Sequence, residues 1–181
     1  MARLKERIGK RVLKNKLKGF ERQVRVHNFK TARSALVLFD ANEPASFPLI
    51  KDFRKYIESQ GIQCKSYGFV QQKEIPQEML FQKSFSFITK NELNWYLKPA
   101  GEVVDDFYSR NPDILFDLSM SVALELQYLV KLSKAQFKVS AYTDEENDYD
   151  LMIKLRDQDD VGYLCEQVKH YVSLLNPSNE P

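Results

Sequence analysis

The chain has 181 residues, 43% of them hydrophobic and 29% charged, a size and balance that fit one globular domain with a core of its own. Its two cysteines, Cys64 and Cys165, are too far apart for a metal knuckle and too few for a disulfide framework. No apolar run nears the roughly 20 residues that cross a bilayer, and a signal peptide's apolar stretch is missing, so a cytoplasmic setting is expected. The net charge of +2 hides an asymmetry: residues 1–34 hold 12 Lys or Arg against Glu6 and Glu21, and the remainder holds 15 against 23 acids, a basic arm on an acidic body.

Within the arm, Leu4, Ile8, Val12, Leu13, Leu17, Phe20 and Val24 recur every three to five residues, which predicts an amphipathic helix with Lys and Arg on its other faces. Gly9 and Gly19 each cost about 1 kcal/mol relative to Ala inside a helix, so this helix is expected to need packing support. Beyond residue 34 short apolar runs alternate with helix-period stretches. Ala35 to Asp40 reads as a buried strand, and Ser46 as the cap of a helix with Pro48 in its first turn, Leu49, Ile50, Phe53, Tyr56 and Ile57 along one face and Gly61 as its stop. Strands follow at Ile62 to Val70 and Phe85 to Thr89, then a helix at Glu102 to Ser109 and a strand at Asp113 to Leu118. Ser119 or Ser121 is placed to cap a largely apolar helix running to Leu132. Ala135 to Tyr142 and Leu151 to Leu155 read as strands separated by an acidic turn, "TDEENDYD", expected to be solvated. A last helix starts near Asp160, and residues 177–181 form a polar tail. The alternation predicts an α/β three-layer sandwich over residues 35–176, Rossmann-like, with a mainly parallel sheet, preceded by the basic amphipathic helix.

The triplet Leu-Phe-Asp occurs twice, ending the strands at Asp40 and Asp117. Ligands of open parallel sheets bind beyond the carboxyl ends of strands, so Asp40 and Asp117, with Asn42, Glu43, Ser119 and Ser121, are the candidate ligand pocket. The same aspartates also suit plain turns, since their side chains accept backbone N–H bonds. A nucleotide cofactor is not expected: the loop "DANEPASF" has no glycine and carries acids that would repel phosphate, and no phosphate-binding Gly-Lys-Ser/Thr motif exists. No metal site is expected either, because His27 and His170 lack partners at ligand spacing and read as surface or partly buried residues. Trp95 and Tyr96 are expected to pack a connector onto the core, stacking on a base or sugar being the other use of such a pair.

The stretches "ALVLFDA", "PDILFDLS" and "KLSKAQFKVSAY" resemble a family of uncharacterised single-domain bacterial proteins of about this length. The resemblance spans nearly the whole chain and implies a Rossmann-like sandwich in the bacterial cytoplasm, with no activity attached. A more distant likeness is to the acceptor half of heptosyltransferase-type glycosyltransferases, with Ser140 where their turn has glycine and only one of their two halves present. It is a likeness of architecture, which does not carry function.

The arm bears the strongest functional signal. Lys5, Arg7, Lys10, Arg11, Lys14, Lys16, Lys18, Arg22 and Arg25 are the candidate phosphate contacts of a non-catalytic protein that engages RNA or a ribosome. About six such contacts would cost roughly a thousandfold in affinity between 50 and 200 mM salt. The alternatives are an anionic membrane surface gripped by the same amphipathic helix, a helix packed on its own acidic body, and a small-molecule or enzymatic site around Asp40 and Asp117.

Overall fold

The structure, a computed structural model, describes residues 2–80, 82–156 and 160–177; most of the expected polar tail, 178–181, lies outside them. Among the described residues six strands form one all-parallel sheet: β1 (Ser34–Asp40), β2 (Gln63–Phe69), β3 (Phe85–Ile88), β4 (Ile114–Asp117), β5 (Phe137–Ala141) and β6 (Leu151–Ile153), in the order 3-2-1-4-5-6. Five α-helices accompany them among the described residues: α1 (Ala2–Leu17), α2 (Phe47–Ser59), α3 (Glu102–Ser109), α4 (Leu124–Lys131) and α5 (Val161–Leu174).

The two core clusters explain the layers. Alternate side chains of a strand point to opposite faces, so Ala35, Val37 and Phe39 of β1 meet Ile50, Phe53 and Ile57 of α2 and Leu164, Val168 and Val172 of α5 on one side. Leu36 and Leu38 meet Val104 and Phe107 of α3 and Leu126, Leu129 and Val130 of α4 on the other. The central strand is apolar on both faces because both are covered.

Strand order reverses between β1 and β4, where the chain moves away in opposite directions to β2 and to β5. Leu38 of β1 pairs with Asp117, so both Leu-Phe-Asp copies end at the same edge beside this switch point.

Several element ends differ from expectation for local reasons. The N-terminal helix stops at Leu17, with Gly19 at φ 78° just past it, a left-handed residue of the kind that terminates helices. Phe20 and Val24 therefore leave the helical stripe. Ser46 does not cap α2; its hydroxyl donates instead to the Glu43 carbonyl. Neither Ser119 nor Ser121 caps α4, which begins at Leu124 after a turn in which Met120 takes φ 51°. Asp160 does cap α5, accepting from the Tyr163 N–H at 2.9 Å.

The acidic stretch is more than a solvated turn. Residues 142–150 are the whole connection between the parallel strands β5 and β6, a role more often filled by a helix. Three of its members fasten it to the domain. Tyr149 donates to the buried Asp117, Asp148 receives the Lys138 ammonium, and Asp150 accepts from the Lys138 backbone N–H.

Candidate nucleic-acid interface and strand-end cavity

The basic arm divides at Gly19. Its first part, α1, lies across α4 and the 93–99 turn: Leu13 is 4% exposed against Leu124 and Tyr128, with Leu17, Leu97 and Leu132 around them. Burying one leucine contributes about 2 kcal/mol. The Tyr128 hydroxyl donates to the Gly9 carbonyl at 2.7 Å. A Cβ at position 9 would collide with the Tyr96 carbonyl and stand 2.7 Å from the Leu124 side chain, so Gly9 lets the helix backbone settle directly onto the domain. The residue that weakens an isolated helix is what allows this one to dock.

The second part is woven into the domain. Arg22 donates to the carbonyls of Ala135, Gln136 and Asp148 and forms a 2.7 Å ion pair with Asp150, its side chain only 11% exposed. The Arg25 backbone N–H donates to Gln136, leaving an exposed side chain. Phe29 and Ala32 enter the core. His27, expected at the surface or partly buried, is buried, with Nε2 at 2.8 Å from the Gln136 side chain.

Docking uses Leu13 and Leu17 of the apolar stripe, leaves Leu4 exposed, and keeps the cations outside. Lys5, Arg7, Lys10, Arg11, Lys14, Lys16 and Lys18 are all exposed, as is Arg3, which the sequence reading passed over although it precedes Arg7 by one helical turn. Lys10 pairs with Glu6 at 2.8 Å; among the described residues the other six candidates on this stretch, and Arg3, form no ion pair. Arg3, Arg7, Arg11, Lys14 and Lys18 recur at intervals of three and four, a ridge of charge opposite the docked face. From Arg3 to Lys14 it extends about 16 Å at the helical rise.

The strand-end aspartates are in the reverse condition. Asp40 accepts both the backbone and the side-chain N–H of Asn42, and Asn42 in turn accepts from the Gln71 backbone at 2.7 Å, a closed turn. Asp117 is buried, with one oxygen taking the Ser119 N–H and hydroxyl at 3.0 and 2.6 Å and the other the Tyr149 hydroxyl at 2.5 Å. Burial pushes the Asp117 carboxyl above its ordinary range, against those hydrogen bonds, and pushes the Tyr149 hydroxyl far up. Ser121 accepts from the Ala123 N–H at 3.2 Å.

Between β1, β4 and α5 lies an open cavity of about 560 Å³ that Asp40, Glu43, Ser119 and Ser121 line together with Met120 and Asp160. Asn42 and Asp117 do not line it. The acids on its wall disfavour phosphate. Both thiols are pushed up to about 12 by burial, which removes the thiolate a nucleophile needs. Among the described residues no group of three or more His, Cys, Asp and Glu is placed to hold a metal ion, and no helix is long and apolar enough to cross a membrane.

Two features escaped the sequence. Lys138 is fully buried in an interior strand, its ammonium donating to the Val130 carbonyl at 2.7 Å and to Asp148; burial pulls its pKa down against that carboxylate. A lysine in the middle of an apolar run was the available signal. Of the aromatic pair expected to pack a connector onto the core, only one member does so. Tyr96 is half-buried beside α1, whereas Trp95 is 61% exposed.

None of the curated proteins matches the chain. Residues 5–175, from the first turns of α1 to just past α5, match a family of unknown function, DUF6913. The match takes in the docked helix as well as the sheet, and the chain belongs to that family.

Proposed function

We propose that the protein is a non-catalytic RNA-binding protein whose docked helix α1 presents a cationic ridge to the phosphates of a structured RNA, with the ribosome the foremost candidate. The observation that carries this reading is the set of exposed cations at positions 3, 7, 11 and 14 of α1 and at 18 just past it, which form no ion pair among the described residues, on a helix docked through Leu13 and Leu17. A rigid ridge of this kind holds its charges in place before RNA arrives, which lowers the ordering cost of binding. The acidic body favours selectivity by repelling nucleic acid everywhere else. A bacterial cytoplasmic setting belongs to the same proposal and rests on the resemblance of the whole chain to uncharacterised bacterial proteins.

The membrane alternative needs the apolar stripe of α1 free to enter lipid; Leu13 is enclosed by Leu124 and Tyr128 and Leu17 is partly covered, which leaves Leu4 as the stripe's exposed leucine within α1. The enzymatic or small-molecule alternative rests on the cavity at the strand switch point, where Asp40 and Glu43 sit with carboxylates that suit a cationic ligand. It ranks second because Asp117, the buried half of the original pair, is turned to Tyr149 and does not face the cavity.

The test uses the full chain, since removal of residues 1–34 would also take away Arg22, Phe29 and Ala32 and so unfold the domain. The protein is expected to sediment with ribosomes at 50 mM salt, to be released at 200 mM, and to be lost on nuclease treatment. Sedimentation that ignores both salt and nuclease contradicts the proposal.

A further inference from the structure

Trp95 is the chain's single tryptophan and the most exposed aromatic side chain among the described residues, at 61%. An indole left in water costs free energy unless something covers it. Its position is fixed by a tight turn. The Asn94 side chain accepts from the backbone N–H groups of Tyr96 and Lys98 at 3.1 and 2.9 Å, Asn94 and Lys98 pair through their backbones, and Leu93 bridges Pro99. Leu97 completes the turn at φ 69°, and its side chain is anchored in the cluster formed with Leu13 and Tyr128. Trp95 also packs edge-on against Tyr96, with centroids 5.2 Å apart and rings at 87°, which leaves the indole a defined orientation.

The turn is placed against the basic helix. The Tyr96 carbonyl is the group that Gly9 of α1 approaches, so the residue next to Trp95 is the point at which helix and turn meet. Lys5, Gly9 and Lys16 share one helical stripe at spacings of four and seven, which sets an exposed cation on either side of that contact. Lys98, half-buried on the same turn, forms no ion pair among the described residues and adds a further charge. A held aromatic ring beside a row of cations is the arrangement by which proteins bind unpaired nucleotides: the cations follow the backbone and the ring stacks on a base.

We infer that the partner of this surface is a single-stranded segment of RNA, and that Trp95 stacks on one of its bases while Lys5, Lys16 and Lys98 contact the flanking phosphates. The inference rests on the proposed RNA-binding function and narrows its substrate to unpaired nucleotides. A base inside a duplex offers no free face to the indole, so duplex RNA is held by the cations alone.

Because Trp95 is the chain's only tryptophan, its emission reports this one position. Full-length protein, Trp95→Ala and Trp95→Phe are titrated at 50 mM salt against a short fluorescein-labelled oligouridylate and a labelled duplex of equal length, the anisotropy of the label giving each affinity, while the wild-type tryptophan emission is followed with the same RNAs unlabelled and with phosphatidylglycerol vesicles. The single strand is expected to quench Trp95 emission in step with binding. Trp95→Ala is expected to weaken the single strand by roughly 5- to 150-fold, Trp95→Phe to restore most of that affinity, and the duplex to bind all three proteins equally. Single-strand affinity unchanged in Trp95→Ala, without quenching in the wild type, overturns the stacking inference and leaves RNA binding standing. If neither RNA binds, or only the vesicles shift the emission, both the inference and the RNA-binding proposal fall.

Discussion

The outer ridge of α1 and the carboxyl edge of the sheet are both lined with charge, yet they are built in opposite ways. On α1 the cations point outward, and among the described residues only Lys10 forms an ion pair. At the sheet edge, Asp117 is enclosed and holds hydrogen bonds on both oxygens, and Asp40 is closed onto Asn42. A charge kept in water without a partner adds little to stability, whereas a buried carboxylate with matched donors is part of how the turn is fixed. The difference separates charge available to a ligand from charge consumed by the fold, and it moves the functional emphasis from the paired triplets to the arm.

The largest expected effect is on the ridge. Combined Arg7→Glu, Arg11→Glu, Lys14→Glu and Lys18→Glu substitution should lower RNA affinity by about 600-fold at 0.1 M salt, four lost single-strand contacts each carrying a slope of about 0.7. Filter binding measures it, and the thermal midpoint should stay within a few degrees of the wild type. A smaller loss would mean that the ridge is not the binding face.

Next comes Arg22, which shared the arm's composition but belongs to the fold. Arg22→Ala removes the ion pair to Asp150 and one donor from each of three backbone carbonyls, and should cost about 3 kcal/mol in urea unfolding. Arg25→Ala, at an exposed side chain, should leave stability unchanged. Equal effects of the two would erase the distinction drawn between ridge and anchor. Gly9→Ala forces the helix away from the Tyr96 carbonyl, and the 1 kcal/mol or so gained in helix propensity should not offset a strain of about 1–3 kcal/mol. Faster amide hydrogen exchange across α1 is the readout.

The smallest effect belongs to the buried carboxylate. Asp117 has a raised pKa in the folded state, so the proton is held more tightly there than in the unfolded chain. Its contribution is complete below the ordinary carboxyl value of about 3.9 and declines as pH rises through the raised folded value. Asp117→Asn keeps the shape without the titration. Stability of the wild type relative to this variant should therefore fall as pH rises from about 4 and then level off, with a cost of about 1 kcal/mol or less at the acid end. A flat difference across that range would show that Asp117 is not forced to lose its solvation in the fold.

The strands β1 and β4, the helices α2 and α5 and the order of elements were legible because each follows from a local apolar run or a helical repeat. Both aspartates were also correctly assigned to one edge of the sheet, since parallel strands share a direction. What the sequence concealed depends on distant contacts. Nothing local says that Gly9 meets Tyr96, that Arg22 reaches across to Asp150, or that residues 142–150 fasten themselves through Tyr149 and Asp148. Composition alone put Arg22 and Arg7 in the same class, and only the fold separates them. Trp95 was misjudged for a related reason: aromatic residues in connectors usually pack, and here the neighbour Tyr96 supplies the packing.

The central claim is that the ridge of α1 meets phosphates, and the salt dependence of RNA binding tests it most directly. The wild-type protein should show a plot of log affinity against log salt with a slope of about −4 on single-stranded RNA, and the fourfold charge-reversed protein a slope shallower by about 3. A wild-type slope near zero, or the same slope in both proteins, would contradict it.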